Sequence, residues 1–146
     1  MTLKLDRAPL ATRQVLAIRA DIGRPVQIGA SDQGVRRYIP ITGGEFTGAE
    51  IRGRVLPGGA DWQLERADGV TEIDAHYAIE ADDGAIIIVR NRGIADRTGD
   101  APYVRTTPRF QAPVGTHDWL NRRLFVGTIV PARDFSHVMV SVFQVD

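Results

Sequence analysis

Asp74 and His76 lie two residues apart in the run Thr71-Glu72-Ile73-Asp74-Ala75-His76-Tyr77-Ala78-Ile79. On a strand that spacing places both side chains on one face. A carboxylate beside an imidazole, whose ordinary pKa lies near neutrality, is the composition of a proton-transfer pair. Tyr103 and Arg105 repeat the spacing further along. A guanidinium binds a carboxylate or enolate oxygen in fork geometry, and a phenol adds a hydrogen bond, so this second pair reads as an oxyanion holder. Trp62 and Trp119, the two tryptophans, each stand beside polar residues and read as pocket walls or core aromatics. Asn121 offers both a donor and an acceptor to a ligand, or a cap to a turn.

These residues need a scaffold that can bring them together. Short apolar or alternating runs recur, separated by Gly43-Gly44, Pro57-Gly58-Gly59, Asp68-Gly69 and Asp82-Asp83-Gly84. That rhythm predicts strands at about 15–21, 26–28, 36–41, 44–46, 49–55, 61–66, 71–81, 85–91, 103–110, 124–130 and 137–145. The clearest element is the hairpin on either side of Asp82-Asp83-Gly84, because an acidic-Gly turn supplies the positive φ a tight connection needs. No window holds a 3.6-residue period, and a single helical turn is expected at 116–121, opened by Thr116. About ten strands in 146 residues predict one all-β domain spanning 1–146, an antiparallel barrel whose closure removes exposed edges. The polar, glycine-punctuated stretch 91–100 reads as a mobile loop.

Composition narrows the chemistry. Eighteen basic side chains balance eighteen acidic ones, which leaves no electrostatic drive toward nucleic acid or an anionic membrane. The chain has no cysteine, so thiolate chemistry, disulfides and cysteine-zinc sites are excluded. The N-terminal region carries Lys4, Asp6, Arg7 and Arg13 and lacks the apolar core of a signal peptide, and no apolar run reaches a membrane-spanning length. The expected compartment is the cytoplasm. His76, His117 and His137 have no metal-ligand spacing, and neither a phosphate-binding glycine loop nor a nucleophile elbow is present. No metal or other cofactor is implied.

The ordered motifs Ile41-Thr42-Gly43-Gly44-Glu45-Phe46-Thr47-Gly48, Gly53-Arg54-Val55-Leu56-Pro57-Gly58-Gly59-Ala60-Asp61-Trp62, Asp74-Ala75-His76-Tyr77, Tyr103-Val104-Arg105-Thr106-Thr107-Pro108-Arg109-Phe110 and Trp119-Leu120-Asn121-Arg122 cover nearly the whole chain. In order and spacing they resemble a bacterial and fungal family catalogued as domain of unknown function 3237. The resemblance implies a small antiparallel barrel, similar in outline to calycin-type and allene-oxide-cyclase-type barrels, and no assigned activity. The family pattern has Arg where this chain has His76.

Taken together, these readings predict an acid/base enzyme of isomerase, cyclase or lyase type, without a cofactor, acting on a small organic carbonyl or carboxylate compound in the lumen. Asp74 and His76 would move the proton, Tyr103 and Arg105 would hold the oxyanion, and Trp62, Trp119 and Asn121 would contact the ligand. Two other readings remain: a non-catalytic small-ligand carrier, and a structural module whose lumen is filled by side chains. The expected partner is a small molecule, with homo-oligomers possible. If the apolar face of the Asp74 strand packs the core instead, Asp74 and His76 stand in solvent.

Overall fold

The computed structural model describes residues 2–5 and 8–146. Ten strands follow in order: β1 (Thr12–Ile22), β2 (Val26–Ser31), β3 (Gly34–Thr47), β4 (Gly53–Val55), β5 (Gly59–Glu65), β6 (Val70–Ala81), β7 (Ile86–Asp96), β8 (Tyr103–Gln111), β9 (Phe125–Pro131) and β10 (His137–Val145). A short 3-10 helix, Asp118–Arg122, interrupts the run between β8 and β9. Neighbours pair antiparallel around a closed path, β1-β10-β9-β8-β7-β6-β4-β3, and β3 returns to β1. The short strands β4 and β5 share one position between β3 and β6, which makes eight positions around the barrel. β2 flanks the sheet, paired to the first half of β3.

The alternation of apolar residues explains the closure. On β1, Leu16, Ile18 and Ala20 are buried, and each lies directly opposite an inward residue of β10: Val142, Val140 and Val138. On β6 and β7 the facing pairs Tyr77–Val89 and Ile79–Ile87 continue the same inner layer. Eight positions enclose a space just wide enough to be filled by side chains or to hold one small ligand. Here both occur, at opposite ends. One half is packed by Leu16, Ile18, Phe46, Ile79, Ile87 and Val142, and Leu120 of the 3-10 helix seals it. Phe110 and Phe125 meet edge-on at 5.2 Å in this layer, a favoured arrangement for aromatic quadrupoles. His117, just before the helix, reaches the β6–β7 turn through a 2.8 Å contact between its Nε2 and Asp83 Oδ2. The other half is left open.

The Asp82-Asp83-Gly84 hairpin forms as expected, with Gly84 at φ 91° and Ala85 N–H donating to Asp83. Elsewhere the local reading needs correction. Gly43 and Gly44 do not separate two strands: β3 runs through them as one strand of 14 residues. At Gly44 the chain adopts φ 133° and passes so close to the Arg19 carbonyl of β1 that a Cβ would overlap it. The stretch 91–100 is not one loop, because β7 continues to Asp96 against β8. The helical turn begins at Asp118, and its N-cap position is His117, not Thr116, with no side-chain cap.

Candidate active site in the barrel lumen

The open half of the barrel encloses a cavity of about 400 Å³, within the ~300–1,000 Å³ range of small-molecule sites. Its walls are mainly apolar, with Ile22, Ile39, Ile73, Val104, Ile129 and Val138 on six different strands. Into this surface project a few polar groups: Arg37 from β3, Asp61 and Gln63 from β5, Tyr77 from β6, Asn91 from β7, and Arg97 just past the end of β7. Few convergent polar groups on an apolar wall is the usual composition of a ligand site.

Three of them form a chain. Arg37 donates through Nε to Gln63 Oε1 at 2.8 Å, and Gln63 donates through Nε2 to Asp61 Oδ2 at 2.7 Å. The other carboxylate oxygen accepts the backbone N–H of Asp74 at 3.0 Å. That bond exists because the β5–β6 ladder lapses between Asp61–Ala75 and Leu64–Glu72, leaving Trp62 and Gln63 without cross-strand partners on β6. Burial pushes the Asp61 carboxyl above the usual carboxylate range. The bonds from Gln63 and Asp74 and the charge of Arg37 pull the other way without cancelling it, and the Asp74 charge adds to the rise. Asp61 therefore keeps its proton to a higher pH than an ordinary aspartate, while remaining fixed in position by two donors.

Deeper in the lumen stand Tyr77 and Asn91, 6% and 2% exposed. The Tyr77 hydroxyl and Asn91 Oδ1 are buried without a hydrogen-bond partner among the described residues. Burial pushes the Tyr77 phenol above its ordinary range, so it acts as a neutral hydrogen-bonding group and not as a base. An unpaired buried hydroxyl or amide costs about 1–3 kcal/mol. Such groups in native interiors are paired in the great majority of cases, by protein, ligand or ordered water.

None of the seven residues singled out from the sequence lines this cavity. Asp74 and His76 share a face, but it is the outer one, since Ile73, Ala75 and Tyr77 take the inner positions of β6. Asp74 is held by Arg90 across the strand pair at 3.1 and 3.0 Å, and this bond holds its carboxyl below the usual range. Tyr103 and Arg105 also share an outward face. Tyr103 is 51% exposed, and the Arg105 guanidinium lies 5.2 Å from its ring centre. Trp62 is 46% exposed and packs on Tyr38 outside the barrel, ring centres 4.7 Å apart. Trp119 packs against Phe125 at the sealed end. Asn121 clamps the chain by accepting from Ala112 N–H at 2.7 Å and donating to Ala112 C=O at 2.9 Å, the turn role, and with His76 it lines a separate surface pocket outside the lumen. The physical reason is common to Asp74, His76, Tyr103 and Arg105: the lumen is mostly apolar, so the more polar face of each strand turns to water. The residues that do enter the lumen had a weaker signal, a lone Asn91 in the register of Ile87 and Val89, and Asp61 and Gln63 alternating with Trp62 and Leu64.

Among the described residues, no three His, Cys, Asp or Glu side chains gather to hold a metal. No helix is long and apolar enough to cross a membrane.

Comparison with known proteins places this geometry in context. A family model described as "Protein of unknown function (DUF3237)" matches residues 10–145. A UPF0311 protein of Rhodopseudomonas palustris strain TIE-1 is 40% identical, over 93% of this chain and 97% of its own length. The hydroalkoxylation enzyme phnH of Penicillium herquei is 33% identical over 98 residues, 67% of this chain and 60% of that protein. Among solved structures, a conserved protein of unknown function from R. palustris superposes with a TM-score of 0.87 at 40% identity, covering 95% of this chain and 99% of the other. A beta-barrel-like protein of Acinetobacter baumannii superposes with a TM-score of 0.88 at 28% identity, covering 98% and 100%.

Proposed function

The chain belongs to the DUF3237 family, and from that premise we propose that it is an acid/base enzyme transferring a proton to and from a small, partly apolar organic compound held in the lumen. The observation that carries this reading is the Asp61 carboxyl, held by two donors in the wall of a largely apolar cavity, where burial shifts its pKa upward. A carboxyl tuned upward is better suited than an ordinary aspartate to give a proton and take one back. A plain carrier has no need of one. A carboxyl perturbed by burial and a specific charge partner, standing in a cleft, is a functional-site candidate on physical grounds.

The name of the Penicillium relative supplies a reaction that suits this site. Hydroalkoxylation adds an O–H across a carbon–carbon double bond. Asp61 would protonate one alkene carbon, the substrate hydroxyl oxygen would bond to the other, and the hydroxyl proton would return to the Asp61 carboxylate. Atoms balance with no other reactant, and the product is an isomer of the substrate. Arg37 would position Gln63 and bias the charge at Asp61, and Tyr77 and Asn91 would orient the substrate oxygen.

The test is incubation in D₂O with a panel of small alkenes that also bear a hydroxyl, followed by mass spectrometry. The expected product has one carbon-bound deuterium. Its rate of formation should fall by about 10²-fold or more in Asp61→Asn, the usual contribution of a general acid/base. A wild-type rate in Asp61→Asn, or no labelled product from the wild type across the panel, would count against the proposal.

A further inference from the structure

The cavity is polarised from end to end. Tyr77 lies opposite Val89, next to the fully buried Ile79–Ile87 pair, and Asn91 lies opposite Ala75, so both mark the deep end. Both are neutral, and among the described residues no cationic side chain lines the cavity at that depth, while Asp61 stands in the row of Asn91, each paired with Ala75. Towards the opposite end, Arg37 and Arg97 line the cavity. Arg37 spends Nε on Gln63, and its two terminal nitrogens have no partner among the described residues. Arg97 has no hydrogen bond or ion pair among the described residues. Among the described residues the one carboxyl that lines the cavity is Asp61, whose burial raises its pKa. Two guanidinium groups therefore line the lumen against one carboxyl.

Resting on the lumen being the substrate site, we propose that the ligand is two-headed: a compact, flat, mostly apolar body with a neutral hydroxyl or carbonyl oxygen at the deep end and a carboxylate or other anionic oxygen at the Arg37–Arg97 end. A hydroxyl at the deep end meets both unpaired atoms, accepting from Tyr77 and donating to Asn91 Oδ1. An anion there would be desolvated with no cation beside it. At the other end a carboxylate meets two planar guanidinium forks, which recognise it in bidentate fashion. The polarity also fixes orientation, because reversing the ligand would bury its charge and leave the guanidinium groups unpaired.

Three fluorescent probes separate the two heads: 6-hydroxy-2-naphthoate carries both, 2-naphthoate lacks the hydroxyl, and 2-naphthol lacks the carboxylate. Affinities are measured by titration for the wild type, Tyr77→Phe, and Arg37→Met combined with Arg97→Met. The wild type should bind hydroxynaphthoate about tenfold tighter than either single-headed probe, the scale of one well-made hydrogen bond or ion pair in a buried site. Tyr77→Phe should erase the advantage over naphthoate and leave naphthoate itself unchanged. The double arginine variant should weaken both carboxylates about tenfold and leave naphthol unchanged. If that variant does not fold, Arg37→Lys and Arg97→Met as separate variants carry the same comparison, with Lys retaining the preference for the carboxylates. Equal affinity of all three probes for the wild type, no saturable binding at millimolar concentration, or ratios unmoved by the variants would overturn the proposal. Asp61→Asn keeps its failure distinct from that of the catalytic reading. Probe ratios preserved in Asp61→Asn support the two-headed ligand whatever happens to turnover, and ratios absent in the wild type overturn it even if Asp61→Asn abolishes turnover.

Discussion

Replacing Tyr77 by Phe removes one oxygen from the interior and nothing else. In the folded protein that hydroxyl is buried with no partner among the described residues, while the ring packs against the apolar layer that includes Ile79 and Val89. Unfolding returns the hydroxyl to water, so the folded wild type carries a desolvation penalty that no protein group offsets among the described residues. Protein substitutions put that penalty at about 1–3 kcal/mol. Some contact is lost where the oxygen was, which leaves an expected net stabilisation of about 1 kcal/mol. For a chain of this length the midpoint of thermal unfolding should rise by roughly 2–4 °C. Scanning calorimetry measures the midpoint directly, and urea unfolding with an unchanged slope confirms that the folded and unfolded states are otherwise the same. A midpoint that falls or stays level would mean that the hydroxyl is satisfied in the folded protein, and the argument that Tyr77 is held in reserve for a ligand would fail. The same variant should lose its preference for hydroxylated probes, so stability and binding move in opposite directions, as expected of a residue kept for function.

Three further outcomes follow from the geometry. Because the folded-state pKa of Asp61 is raised, its contribution to stability is complete below its unfolded value near 3.8 and is lost as the pH rises through the folded value; urea titrations should show the wild type losing ground to Asp61→Asn over that interval, and parallel profiles would contradict the shift. Gly44→Ala should destabilise by about 3 kcal/mol or more, since it adds both a strained φ and a collision with the Arg19 carbonyl, and a near-wild-type midpoint would mean that β1 and β3 can move apart. His76→Gln, on the outer face of β6, should change stability by less than about 0.5 kcal/mol and leave probe affinity and its pH profile unaltered; an effect on binding would return that face to consideration.

The barrel was legible because its turns and alternation are local properties. Acidic-glycine chemistry at 82–84 and the alternating apolar residues of β6 specify a hairpin whatever the rest of the chain does. The site was not legible, because alternation divides a strand into two faces without stating which encloses the ligand. On β6 the polar face offers the proton-transfer pair, yet Asp74 finds its partner in Arg90 on the outside. On β5 the pattern is inverted, with aromatic Trp62 outside and Asp61 inside. That inversion is stable only because Tyr38 on β3 covers the Trp62 ring and Gln63 and Asp74 N–H satisfy the carboxylate. All of these partners come from pairings 13 or more residues apart except Gln63, and such pairings are properties of the closed sheet. The continuity of β3 through Gly43-Gly44 was hidden for the same reason, since two glycines read as a break until the close approach of β1 is known.

The unequal filling of the barrel divides the molecule into a half that must be conserved in shape and a half that need not be. Side chains that seal one end, Leu16, Ile18, Ile79, Ile87 and Val142 among them, hold the strands in register. The cavity walls at the other end are free to be redrawn, since exchanging Ile39, Ile73, Val104 or Ile129 alters the lumen without unseating that packing. A scaffold of this kind drifts easily in substrate while its backbone stays put. Paralogous barrels should then differ most at inward positions of the open half, and a library randomised at those four positions should yield folded proteins at high frequency but with altered ligand preference.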